Sequence, residues 1–244
     1  MKKIVLITGV LGGIGSQLAK TFSEKGYEVI GLDVRDMPSP WCDKFFNFDL
    51  NRYCLDNTYR HEMNSLFERE IPELSVLINN AAVQILSSLD EIKLDDWNHT
   101  LNVNLTGPLV LSQLFVDRLE RSKGSIINIA SIHQQLTKRR FLAYATSKSA
   151  LVGLTKALSV DLQGKVKVNA ISPAAIDTPM LRDGFNNDEN KVQQLNEIHP
   201  IQRIGKPQEV SQLAYLLAEE NLGFINGANI NIDGGISNVL KDLD

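Results

Sequence analysis

Only two cysteines occur in the 244 residues, Cys42 and Cys54, and they form neither a C-x-x-C pair nor a cluster with histidine. A disulfide framework and a zinc site are therefore both excluded, no metal is expected, and the thiols fit a reducing compartment. Long apolar runs are equally scarce, and none approaches the ~18 residues that a membrane-spanning helix needs. Met1-Lys2-Lys3 before Ile4-Val5-Leu6-Ile7 mimics the front of a signal peptide, but Thr8-Gly9 ends the apolar stretch at once. The charge excess is small, with a formal net charge of -4 and a sequence pI near 5.6. Charged residues are interspersed, so no basic footprint for nucleic acid exists. What remains, 43% hydrophobic and 22% charged residues, can bury a proper core in a cytoplasmic protein that does not enter a membrane.

Short apolar runs alternate with helical patterns along the whole chain. Ile4-Val5-Leu6-Ile7 reads as a strand covered on both faces and Ser16 to Lys25 as a helix, with Thr8-Gly9-Val10-Leu11-Gly12-Gly13-Ile14-Gly15 between them. Glycines at 9, 13 and 15 permit a tight turn and close approach to a ligand, while the helix N-terminus offers free N–H groups to a pyrophosphate. Tyr27 to Leu32 forms a second strand ending in Asp33, where a carboxylate can bind the hydroxyls of an adenosine ribose. Further strands are expected at 45–48, 75–78, 124–130, 166–171 and 229–232. Helical patterns cover 53–70, 94–121 with a kink at Gly107-Pro108, a segment through Tyr144 to about Leu162, and 207–217. Pro38 and Pro40 keep 36–43 irregular. Residues 178–200, polar and acidic, suit a flap that partly closes over a site. The alternation implies one α/β domain over residues 1–244, a doubly wound parallel sheet with helices on both faces and ligands beyond the strands' C-terminal ends. Gly9, Asp33, Asp49, Asn79, Ser131 and Pro173 all follow such ends.

Tyr144 and Lys148 project from one face of their helix, since residues four apart are neighbours. An ammonium ~4 Å from a phenol, at an effective dielectric of ~20, contributes roughly 4 kcal/mol, about three pKa units before screening. The pair is a candidate general acid/base tuned toward neutrality, although the spacing alone occurs on many ordinary surface helices.

Taken together, Thr8-Gly9 with Gly13-Ile14-Gly15, Asn79-Asn80-Ala81-Ala82, Asn104, Ser131, Tyr144 with Lys148, and Pro173 with Thr178 resemble the classical short-chain dehydrogenase/reductase family in order and spacing. The resemblance extends to Ile225-Asn226-Gly227 and Asp233-Gly234-Gly235, almost the whole chain. It implies a Rossmann-type NAD(P)-binding domain and an oxidoreductase that interconverts a secondary alcohol and a ketone by hydride transfer. On that resemblance Tyr144 is the general acid/base, Lys148 lowers its pKa and holds the nicotinamide ribose, Ser131 orients the substrate oxygen, and Asn104 helps anchor a proton-relay water. Thr8, Gly9, Gly13, Ile14 and Gly15 would hold the dinucleotide, and Asp33 the adenosine ribose. Asp49 and Leu50 would lie near the adenine, Asn80 and Ala81 along the cofactor, and Pro173, Ile176 and Thr178 at the carboxamide end. Ala82 and Ala174 stand where glycine is usual, which implies altered loop geometry rather than lost binding.

Asp33, with no basic residue at Gly12, points to NAD rather than NADP. Arg35 argues the other way, but flanked by Asp36 it can be paired on the surface. Gln84, His133, Gln134 and Gln135 hint at a polar pocket for a small molecule, and Lys138-Arg139-Arg140 is either an anion-recruiting group or a solvated loop. Family members of this size often form homo-oligomers, tetramers or dimers. Two alternatives stay open: a dinucleotide-binding sensor without catalysis, against which the intact Ser131, Tyr144 and Lys148 argue, and a 3-oxoacyl-thioester reductase using NADPH. An epimerase or dehydratase of the extended branch is disfavoured by the short C-terminal portion.

Overall fold

The computed structural model describes residues 2–240, within which seven strands form one parallel sheet. They are β1 (Ile4–Thr8), β2 (Glu28–Asp33), β3 (Lys44–Asn47), β4 (Val76–Asn79), β5 (Ser125–Ile129), β6 (Lys167–Pro173) and β7 (Asn229–Ile232). Their spatial order is β3-β2-β1-β4-β5-β6-β7, parallel throughout. The connecting helices are α1 (Gly13–Glu24), α2 (Leu50–Leu55), α3 (Asn57–Glu70), α4 (Leu94–Leu101), α5 (Gly107–Ser122), α6 (Leu142–Asp161), α7 (Pro179–Gly184), α8 (Glu189–Glu197) and α9 (Pro207–Ala218). Among the described residues no helix is long and apolar enough to cross a membrane.

The pleat sorts the core into two layers. Val5, Ile7, Val29, Ile78 and Ile127 face α1 and α9, meeting Leu18, Ala19 and Phe22 of α1 and Val210, Ala214 and Leu217 of α9. Leu6, Ile30, Leu77, Ile126 and Val168 point the opposite way, onto Met63 and Phe67 of α3 and Leu111, Phe115 and Leu119 of α5. Both faces are covered, which is why the strands read as continuous apolar runs. After β3 the chain returns past β1 to form β4, so the order reverses between β1 and β4. A crevice at the C-terminal ends of those two strands is the consequence.

The structure departs from expectation in three places. The pattern over 53–70 is two helices, because Asp56 accepts the Tyr59 N–H at 3.1 Å and starts α3 as a cap. Asp49, expected to end β3, caps α2 by accepting the Arg52 N–H at 3.0 Å. The kink expected at Gly107-Pro108 lies one turn earlier, where Asn102–Thr106 forms a π-helical turn between α4 and α5. Pro108 helps create it: having no N–H, it removes the donor that an α-helix would supply to the Asn104 carbonyl. Residues 178–200 contain two short helices, α7 and α8.

Candidate active site

Thr8 ends β1 and ties the crevice shut from below. Its Oγ1 accepts the Asn80 and Ala81 N–H groups, each at 3.0 Å, and the Asn80 side-chain amide donates to the Thr8 and Gly9 carbonyls at 2.9 and 3.1 Å. The turn after β1 is as tight as a chain allows. Gly9 sits at φ +64, and a Cβ on it would lie 2.8 Å from the Ala81 Cα; one on Gly15 would lie 2.0 Å from the Gly9 carbonyl oxygen. Gly13 packs equally closely on Thr178, the residue that caps α7. Gly12, before α1, offers no capping side chain, and the first turn holds no acid. The N–H groups of Gly13, Ile14 and Gly15 therefore form an electropositive helix end available to an anion.

Asp33, at the tip of β2, is 5% exposed and fully engaged. Oδ2 accepts the Leu11 N–H at 2.9 Å and Arg35 Nη2 at 3.3 Å; Oδ1 accepts the Arg35 N–H at 3.1 Å and its Nε at 3.0 Å. Burial raises the carboxyl pKa, but these hydrogen bonds outweigh it and the net shift is downward. Arg35 is thus paired on the surface as expected, with Asp33 itself rather than with Asp36. Leu50 opens α2 and presses on Gly107. Pro173 closes β6, and Ile176 is buried, bridging to Gly205.

Beyond β5 the chemistry-bearing side chains converge. Tyr144 lies in the first turn of α6 with its phenol toward the hydroxyl of Ser131, itself only 7% exposed. Lys148, one turn further, is 2% exposed; its Nζ donates to the Ile129 carbonyl at 2.7 Å and lies 5.7 Å from the Tyr144 ring centroid. Asn104 is fully buried in the π-helical turn. Its amide donates to the Val83 carbonyl at 2.9 Å and Ser147 Oγ at 3.0 Å, while its Oδ1 accepts the Val83 N–H at 2.9 Å. Ser147 in turn donates to the Tyr144 carbonyl at 2.7 Å, linking the bulge to the helix that carries the phenol. Ser147 was not legible as a site residue, since nothing in the sequence distinguishes its hydroxyl from a helix-surface serine.

The electrostatics differ from the sequence expectation. Burial pushes the Tyr144 phenol above its ordinary value, with the Ser131 hydrogen bond pulling partly against it. Burial also lowers Lys148, to about 7. An ammonium that is itself half discharged near neutrality, and spends a proton on Ile129, does little to ionise the phenol. The chain alone thus shows no lowering of Tyr144 by Lys148. A lysine whose folded pKa is depressed binds fewer protons folded than unfolded between about 7 and its ordinary 10.5. Stability measured without cofactor should therefore rise with pH across that window, by about 1.4 kcal/mol per unit from this group. In Lys148→Met, urea unfolding should show that rise removed; an identical slope in both proteins would place the titration elsewhere.

The basic triplet is divided. Arg140 pairs with Glu91 at 3.3 Å, and Lys138 lies over the Phe141 ring at 4.7 Å.

A family model described as enoyl-(acyl carrier protein) reductase matches residues 9–237. The chain belongs to the classical short-chain dehydrogenase/reductase family. This dehydrogenase/reductase is 31% identical to a 3-oxoacyl-[acyl-carrier-protein] reductase of Thermotoga maritima, over 96% of this chain and 97% of that one. It is 30% identical to a meso-2,3-butanediol dehydrogenase of Serratia marcescens, over 96% and 94%. Aldohexose dehydrogenase of Thermoplasma acidophilum superposes with TM-score 0.92 at 30% identity, covering 100% and 97%. A 4-hydroxyisoleucine dehydrogenase complexed with NADH gives 0.87 at 28% identity, covering 98% and 100%. ElxO with NADP bound gives 0.85 at 29%, with the same coverage. A nicotinamide dinucleotide is therefore the family cofactor, and the residues here fit it: an uncapped, acid-free helix start, glycines at the points of closest approach, and a buried carboxylate at the tip of β2. The short-chain dehydrogenase/reductase is an NAD(P)-dependent oxidoreductase acting on CH–OH or carbonyl groups.

Proposed function

We propose that the chain is an NAD-dependent dehydrogenase that interconverts a secondary alcohol and a ketone on a small polar substrate, with Tyr144 as general acid/base. The observation that carries this reading is the convergence of the buried Ser131 hydroxyl, which pulls the pKa of the Tyr144 phenol down, and the buried Lys148 amine beside the same ring. Two hydroxyls so placed offer one oxygen of a substrate both a fixed position and a proton partner. When bound, the nicotinamide supplies or accepts the hydride.

The chain's own residues do the rest. Tyr144 Oη takes the proton from an alcohol or gives it to a developing alkoxide, and Ser131 holds that oxygen in place. Lys148, with a pKa of about 7, can pass a proton in either direction at neutral pH. The Asn104 carbonyl, relieved of its helical donor by Pro108, is an acceptor for a relay water. Thr8 and Asn80 hold the crevice in shape, with the N–H groups of Gly13, Ile14 and Gly15 for the pyrophosphate and Asp33 for the adenosine ribose. Asp49 and Leu50 lie toward the adenine, Gly9 and Ala81 along the dinucleotide, and Pro173, Ile176 and Thr178 toward the carboxamide. Residues 178–200 serve as the flap that excludes water. Exposed apolar side chains at Val160, Leu216 and Phe224 support a homo-oligomer, dimer or tetramer, and the two free thiols support a cytoplasmic setting.

Likeness to the butanediol and aldohexose dehydrogenases supports a substrate with more than one hydroxyl. Likeness to the Thermotoga maritima enzyme favours a second reading, a 3-oxoacyl-thioester reductase using NADPH, against which Asp33 stands. Reduced-nicotinamide absorbance separates them, with small diols, sugars and a 3-oxoacyl thioester each offered with both cofactors. Turnover of diols or sugars with NAD is expected; turnover confined to the thioester with NADPH would establish the second reading, and binding without turnover would establish a sensor.

A further inference from the structure

His133, a candidate pocket residue on the sequence, takes no part in the acid/base and cofactor roles above, yet it is built into the same wall. It sits in a short 3-10 turn, Ile132–Gln134, directly after Ser131, whose Oγ accepts the His133 N–H at 3.2 Å. The hydroxyl that meets Tyr144 therefore also fixes the backbone of His133. Its ring stacks on Phe141 with centroids 4.4 Å apart and planes 12° from parallel, and meets the Tyr144 ring edge-to-face at 5.7 Å and 78°. Phe141 is 7% exposed and meets Tyr144 at 6.0 Å, so the three rings form one clamped cluster. Lys138 covers the Phe141 ring from outside. Nδ1 lies 3.4 Å from Thr137 Oγ1, and Nε2 has no partner among the described residues.

We propose that His133 reads the substrate: its imidazole hydrogen-bonds a hydroxyl on the carbon adjacent to the reacting carbon, so that the preferred substrates are vicinal diols and the corresponding α-hydroxyketones. This rests on the reading of Ser131 and Tyr144 as the groups that hold the reacting oxygen. Contact between the His133 and Tyr144 rings puts the imidazole in the wall beside the phenol, so the group it would meet is a neighbour of the reacting carbon. The ring chemistry matches a hydroxyl. Burial, with Lys138 adding to it, holds the imidazole pKa down to about 4, so the ring is neutral at ordinary pH and carries one donor and one acceptor. A charged recognition group would have favoured a carboxylate; a neutral one presented beside Tyr144 favours an alcohol.

The test is the ratio of kcat/KM for 2,3-butanediol to that for 2-butanol, in wild type, His133→Phe and His133→Gln. Phenylalanine keeps a ring against Phe141 and Tyr144 but no hydrogen bond, and glutamine returns a donor and an acceptor without the ring. The ratio is expected to fall by about tenfold or more in His133→Phe and to recover partly in His133→Gln, because a site that pairs a hydroxyl discriminates against the analogue lacking it. An unchanged ratio in His133→Phe, with both substrates slowed alike, would reduce His133 to a support for Tyr144 and overturn the proposal. Wild-type oxidation of 2-butanol but of no vicinal diol would overturn it as well. Full 2-butanol turnover by Tyr144→Phe would instead bring down the underlying reading, whatever the ratio.

Discussion

Replacing Tyr144 with phenylalanine is expected to lower kcat by about 10³- to 10⁴-fold, the upper range for loss of a positioned general acid/base, while leaving cofactor affinity nearly intact. The substitution deletes one hydroxyl. The ring keeps its edge contacts with His133 and Phe141, so the first turn of α6 and the Lys148 amine one turn on stay where they are. Lost are the hydroxyl that Ser131 acts on and the phenol at this point of the site. Lys148→Ala is different in kind: it removes the proton carrier and leaves the Ile129 carbonyl without its donor, so turnover and cofactor binding should fall together. Steady-state kcat and a fluorescence titration of the cofactor distinguish the two. A phenylalanine variant retaining a tenth of wild-type kcat would show that another group moves the proton.

The contrast between Tyr144 and Lys148 marks where sequence reasoning reached and where it stopped. Residues four apart on a helix share a face whatever surrounds them, so their adjacency was legible. The sign of the phenol's shift was not, because it depends on burial, and burial is decided by Phe141, His133 and the strands beneath. The sheet itself was legible for a similar reason: strands covered on both faces must be apolar throughout, and those runs were countable. Boundaries set by a single hydrogen bond were less so. Asp56 ends one helix through its N–H and begins another through its carboxylate, and Asp49 reads equally well as a strand end or a cap. The π-helical turn was half visible, since Gly107-Pro108 announces an interruption, but the bonds that Asn104 makes with Val83 and Ser147 on the preceding turn could not be read from the sequence. Arg35 shows the same limit. An arginine two residues past Asp33 and next to Asp36 has two acids in reach, and the bend after β2, in which Asp33 Oδ1 accepts the Arg35 N–H, folds the guanidinium back onto Asp33.

That pairing bears directly on cofactor choice, and a preference for NAD over NADP by about 10²- to 10³-fold in kcat/KM is expected. A 2′-phosphate within ~4 Å of the Asp33 carboxylate, at an effective dielectric of ~20, meets roughly 4 kcal/mol of repulsion per charge pair before screening, nearly a thousandfold in affinity. Arg35 reduces this but does not reverse it, because its guanidinium already serves Asp33 through Nε and Nη2. To reach a phosphate it would have to release a carboxylate that is 5% exposed and leave that charge uncompensated. Ribose hydroxyls ask for less. With the Leu11 and Arg35 backbone N–H groups still bound, displacing the half-exposed guanidinium frees one acceptor position on each oxygen, one for the 2′- and one for the 3′-hydroxyl. Asp33→Asn keeps an acceptor for the Leu11 N–H and removes only the charge, so it tests the electrostatic argument without opening the turn. In that variant the NAD:NADP ratio should fall by about tenfold or more, whereas Arg35→Ala should raise it by removing the cation paired with Asp33. A wild-type preference for NADP would sink the assignment outright. An unchanged ratio in Asp33→Asn would show that contacts other than this carboxylate select the cofactor.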